Sequence, residues 1–123
     1  MAFIAADPQR YAGQVVGDGH CVAYVRAAAS VPHTSAWRRG DPVRGSNLAS
    51  GTAIATFHDR GHYENDTTGK SHAAILLAEN EDGLLVMDQW VNHPVAQRTL
   101  RWRDGQGDAV NDGSRFYAIE VAT

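Results

Sequence analysis

The sequence predicts an α+β domain, and three observations predict it. One alanine-rich stretch with helical spacing lies near the start, "CVAYVRAAAS" at 21–30. Further on, the apolar runs "HAAILLAEN" at 72–80 and "GLLVMDQWV" at 83–91 bracket the turn "NEDG". The chain closes on "RFYAIEVA" at 115–122, where Phe116, Ala118 and Glu120 alternate with Tyr117, Ile119 and Val121. One helix followed by strands with hairpin-length connections gives an antiparallel meander with a helix packed on it.

Each element has a local reason. Residues 1–20 form a punctuated lead-in, after which Val22, Val25 and Ala29 give the helix one apolar stripe. Asp18 and Gly19 offer capping and loop chemistry before it, and Pro32 limits it at the other end. The segment "HTSAWRRGDPVRGSNLAS" at 33–50 has no sustained period and is expected to be a long ordered loop pinned by Trp37. "GTAIATF" at 51–57 reads as a strand and "HDRGHYENDTTGKS" at 58–71 as a turn-rich connection. Gly83 ends the hairpin turn, and "VAQRTLRWR" at 95–103 is a strand with Leu100 and Trp102 on one face. The count comes to about five strands. No repeat or low-complexity tract divides residues 1–123, which are expected to form a single domain.

Composition narrows the function classes. With 123 residues, 43% of them hydrophobic and 20% charged, the chain can bury one core without disulfides or a structural metal. A net charge of −3, a single lysine (Lys70) and scattered arginines argue against nucleic-acid binding. No apolar run is long enough to span a bilayer. The first residues lack the basic and apolar regions of a Sec signal, so synthesis in the cytoplasm is expected. A monomer is the expected state.

Cys21 is the single cysteine, so no intramolecular disulfide forms. It falls in the first turn of the expected helix, after a glycine-containing loop. The partial positive charge and free N–H groups there stabilise both a thiolate and an oxyanion on an attacked carbonyl. Position alone leaves core packing equally open. His72, at the start of a strand, is the candidate base. Asp88 lies sixteen positions later on the partner strand. A turn centred on Glu81 and Asp82 pairs residues whose numbers sum to roughly 162–164, making Asp88 a diagonal or near neighbour of His72. A carboxylate within "LLVMDQW" also needs a partner, because burying it alone is costly. Gln89 and Asn92 are rival orienters of the imidazole. Strand alternation puts Asp88 and Gln89 on opposite faces, with Asn92 on the side of Asp88.

The candidate substrate-binding residues are Trp37, Tyr63, His20 and Gln89. His58 and His62, with Asp59, hint at a metal site. Gly61 disfavours the helix their spacing would need, so a solvated loop without metal or cofactor is expected.

In this order, "GDGHCVAYVR", "SHAAILLA" and "GLLVMDQW" resemble the NlpC/P60 and CHAP amidases of the papain-like superfamily. In those families the nucleophilic cysteine starts a helix, the histidine starts a hairpin, and a polar third residue lies on the next strand. "GTAIATF" resembles the strand ahead of the histidine, with Thr52 where the family carries Asp. His20 also departs from the small polar residue usual before the nucleophile. The resemblance spans roughly residues 13–120 and extends to small type VI secretion amidase effectors. It implies a Cys21–His72–Asp88 hydrolase acting on stem-peptide or crosslink amides of peptidoglycan, with the Cys21 N–H in the oxyanion hole and Asp18 or His20 as weaker side-chain candidates. It further implies export to a target cell's periplasm and a dedicated immunity protein as partner. The rival readings are a papain-like acyltransferase or thioesterase, and an inert wall- or protein-binding module.

Overall fold

The computed structural model describes residues 2–58, 60–64 and 70–121. The helix α1 runs Cys21–Ala29 and buries Tyr24, Val25 and Ala29. Ser30, in the left-handed conformation at φ 56°, ends it just ahead of Pro32. No side chain caps its start. Instead the Asp18 carboxylate accepts the backbone N–H of His20, the N-cap residue, at 3.0 Å. Asp18 therefore shapes the loop before the helix rather than capping it.

The sheet has six strands, β1 (Trp37–Pro42), β2 (Ala53–Ala55), β3 (Ala73–Glu79), β4 (Gly83–Trp90), β5 (His93–Arg101) and β6 (Tyr117–Val121). Every pairing is antiparallel, in the order β1-β6-β2-β3-β4-β5. This corrects two expectations. The stretch read as a loop at 33–50 contains an edge strand, β1, whose Gly40, Pro42 and exposed charged side chains mask the strand pattern. The arrangement is also not a simple meander. Strands β2 to β5 follow one another, but the chain end returns to insert β6 between β1 and β2.

The β3–β4 hairpin pairs Ile75 with Met87 and Leu76 with Val86, then shifts by one residue before Glu79 meets Leu84. That register lies within the range inferred from the turn. Gly83 follows the turn with φ 155°, and a Cβ there would run into the carbonyl oxygen of Leu100 on β5. A side chain at this position would force the β4–β5 pair apart.

Two cores lie on opposite faces of the sheet. On one, Ala53, Ala55, Ala73, Ile75, Met87 and Ile119 pack against Tyr24 and Val25 of α1. On the other, Ile54, Ala74, Leu76, Leu84, Val86 and Leu100 pack beneath Val43 and Phe116. Buried on both sides, β2 and the first half of β3 read as continuous apolar runs rather than alternating ones. Small alanines at 53, 55 and 73 let the helix approach closely, with Cys21 beside the start of β3. No helix among the described residues is long and apolar enough to cross a membrane.

Candidate active site

Cys21 is the first residue of α1 and is half-buried at the edge of a cleft of about 390 Å³. Asp18, His20, Arg26, His33 and Tyr63 line the same cleft. His72 stands beside the thiol, immediately ahead of β3. Its backbone is fixed by Thr56 at the end of β2. The N–H of His72 donates to Thr56 Oγ1 at 3.0 Å, and the N–H of Thr56 donates to the His72 carbonyl at 3.0 Å. The imidazole is 4% exposed and lies edge-on to Trp90 and Phe116.

Asp88, on β4, is fully buried, and its Oδ2 lies 2.7 Å from Nε2 of His72. That contact occupies Nε2 and leaves Nδ1 as the nitrogen free to serve the thiol. The electrostatics match this placement. Burial pushes the Cys21 thiol up, but hydrogen bonding to His72, the imidazolium charge, the Ala73 N–H and the Tyr63 hydroxyl outweigh it and lower it overall. Burial pulls His72 down, but the hydrogen bond to Asp88, followed by the bond and charge of Cys21, raises it to about 9. Each group stabilises the charged form of the other, which favours a thiolate–imidazolium pair.

Of the two rival orienters, Asn92 sits at the exposed β4–β5 turn with φ 69°. Gln89 faces the other side of β4 from Asp88. It is fully buried, its Oε1 accepts the Val16 N–H at 3.0 Å, and its Nε2 donates to the carbonyls of Val16 and His20 at 2.8 Å each. With both ends of its amide engaged, Gln89 is not the substrate contact expected from sequence; it clamps the loop that presents Cys21. Two adjacent residues of one strand thus hold the two halves of the site. Gln89→Ala is expected to destabilise the fold by about 1–3 kcal/mol, because backbone groups lose their partner. Urea denaturation of the two proteins measures the difference.

Trp37 also departs from expectation. It is fully buried, donates its indole N–H to the Pro32 carbonyl at 2.8 Å, and packs at a tilt of 54° against Tyr63 with ring centres 4.8 Å apart. It backs the cleft wall instead of lining it. Tyr63 is the residue that reaches the site, with its hydroxyl 3.8 Å from Sγ of Cys21. Burial and then the nearby thiolate charge push this phenol up, so it stays protonated and able to donate. The strand missed in the sequence supports it. The Arg39 N–H donates to the Gly61 carbonyl, and Arg38 bridges His62, so the segment at 60–64 lies along β1. His20 is exposed at the cleft rim.

Arg98 was not anticipated. From β5, its Nε donates to the same Asp88 oxygen as His72, also at 2.7 Å. The β4–β5 pairing carried the signal, because Asp88 faces Ala96 and Arg98 lies two residues along on the same face. His58 and His62 flank a turn closed by the His58 N–H to the His62 carbonyl, while Asp59 lies outside the described residues. Among the described residues no group of three or more His, Cys, Asp or Glu is placed to hold a metal ion.

Comparison with known proteins places the chain in a family. A solved structure of "Type 6 secretion amidase effector 2 (Tae2)" superposes with a TM-score of 0.84 at 28% identity, covering 98% of this chain and 96% of that one. "Type VI secretion amidase effector 2 protein" of Salmonella typhi is 42% identical over 77 residues, 61% of this chain. The match spans 56% of the length of that relative. "Domesticated amidase effector 2" of Ixodes scapularis is 35% identical over 124 residues, 94% of this chain and 83% of its own. The family model described as domesticated amidase effector 2 matches residues 1–119, almost the whole length, and the chain belongs to that family.

Proposed function

We propose that this protein is a cysteine amidase that hydrolyses a peptide amide of peptidoglycan, with Cys21 as nucleophile, His72 as acid and base, and Asp88 as orienter. The observation that carries the reading is His72 held through Nε2 by Asp88 at 2.7 Å, beside a thiol at a helix start. The substrate class draws on the names of the relatives, which are amidase effectors.

The steps follow from the placement. The Cys21 thiolate attacks the amide carbon, and charge collects on the carbonyl oxygen. The Cys21 N–H and the Tyr63 hydroxyl donate to that oxyanion. Nδ1–H of the imidazolium then protonates the leaving nitrogen, the C–N bond breaks, and the amine departs. Water attacks the thioester while His72 takes its proton, releasing the carboxylic acid and restoring the thiol. Asp88 fixes the tautomer throughout.

The cleft favours a peptide over an acyl chain. It is lined by Asp18, His20, Arg26 and His33 beside Cys21, and a lipid tail would leave those groups desolvated without partners. An enzyme of this kind acts in the periplasm of a target cell after export, and its producer needs an inhibitor protein that blocks the cleft. Digestion of purified peptidoglycan by the wild type and by Cys21→Ala, with mass spectrometry of the products, tests the reading. New amine and carboxyl termini are expected with the wild type alone. Matching product profiles from the two proteins would sink it.

A further inference from the structure

We propose that Arg98 is a positioning residue of this site: it fixes the carboxylate that orients His72 and ties it to the turn at Ala109–Asn111. The inference rests on the triad reading above and extends it to a fourth side chain.

Asp88 is fully buried, and a carboxylate there needs a compensating cation. His72 supplies one only while it is protonated, and the proposed reaction takes that proton away in each cycle. A guanidinium keeps its charge throughout. Arg98 Nε and His72 Nε2 converge on one oxygen, Oδ2, each at 2.7 Å, while Oδ1 meets no donor among the described residues. Among the described residues these two contacts are the hydrogen bonds that set the rotation of the carboxylate about its Cβ–Cγ bond.

The other end of Arg98 is held by longer contacts. Nη1 donates to Asn111 Oδ1 at 3.2 Å and Nη2 to the Val110 carbonyl at 3.3 Å. The guanidinium lies over the Trp90 ring, 4.8 Å from its centre, and that ring stands edge-on to His72. The receiving turn is itself anchored by the buried Asp112, which accepts the N–H groups of Arg103, Gly105 and Ser114. A rigid fork suits this bridge; a lysine has one nitrogen and reaches one end of it.

Arg98→Met and Arg98→Lys are compared with the wild type in steady-state hydrolysis and in the pH dependence of Cys21 alkylation by iodoacetamide. Arg98→Met is expected to lower kcat by about 10–100-fold with KM within about twofold, as misorientation does. Arg98→Lys is expected to recover only part of that loss. The charged and titratable groups bearing on Asp88 are His72 from the start of β3, Arg98 from β5 and, more distantly, Tyr24 from α1. Without Arg98 the imidazolium has the carboxylate to itself, so the basic limb of kcat/KM is expected to move upward. A folded Arg98→Met protein with wild-type kcat and alkylation profile would overturn the proposal and leave the triad standing. Should Arg98→Met fail to fold, Asn111→Ala loosens the bridge without touching Asp88. It is expected to lower kcat severalfold, and an unchanged kcat would overturn the proposal. A wild-type Cys21 that alkylates like a free thiol, regardless of His72, would remove the triad reading and this inference with it.

Discussion

Replacing Cys21 by serine is expected to cut amide hydrolysis by about 10⁴-fold or more, although one atom changes. The site stabilises separated charge. His72 is raised to about 9 partly by the bond and charge of a thiolate partner, and the thiol is lowered by the imidazolium, the Ala73 N–H and Tyr63. A serine hydroxyl does not ionise in this range, so the same surroundings meet a neutral nucleophile whose proton His72 must first remove. The measurement is kcat/KM on a defined stem-peptide amide, with circular dichroism to verify the fold. A serine variant within tenfold of the wild type would exclude Cys21 as nucleophile.

Asp88→Asn is expected to lower kcat by about 10³–10⁴-fold and to move the pH profile of kcat/KM. The amide can turn its NH₂ towards Nε2. That moves the imidazole proton to Nδ1, where it faces the thiol and cannot accept from it. For the wild type, kcat/KM should rise as Cys21 ionises, below its ordinary value of 9.0, and fall as pH passes about 9 and the imidazolium deprotonates. After burial, which pulls His72 down, the hydrogen bond to Asp88 is the largest influence and acts upward. Losing it should therefore shift the basic limb to lower pH. This is the reverse of the shift expected for Arg98→Met, so the two variants separate the carboxylate's role from its anchor's. An Asp88→Asn enzyme with an unmoved limb and near-normal kcat would assign the orienting role elsewhere.

Much of this site was readable because its parts are local. A helix start is marked by composition and spacing around Cys21, and a short turn fixes which residues of its hairpin can meet. Those two facts brought His72 and Asp88 within reach and put Gln89 on the far face. What could not be read depended on distant chain segments. Trp37 reads as a groove residue because its segment lacks a strand pattern, yet its backbone pairs with Val121 of β6 near the other end of the sequence and its buried ring packs on Tyr63. The role of Gln89 is hidden in the sequence because its partners, Val16 and His20, lie in a lead-in whose path no periodicity reveals. Arg98 was legible in principle. Counting outward from the tight turn at Val91 and Asn92 sets it diagonally across from Asp88, and its scattered appearance among ten arginines hid it.

Alternation along β4 has a consequence for when reactivity arises. Asp88 looks to one side of the sheet and Gln89 to the other. A slip of one residue in that strand would exchange them, turning an amide towards the imidazole and a carboxylate towards the carbonyls of Val16 and His20. Neither half of the site survives such an error. On the proposed reading, a chain with its hairpin unpaired or mispaired carries only an ordinary thiol. Chemical competence is then acquired in one step with correct strand alignment, and enzyme activity becomes a direct assay of sheet registration.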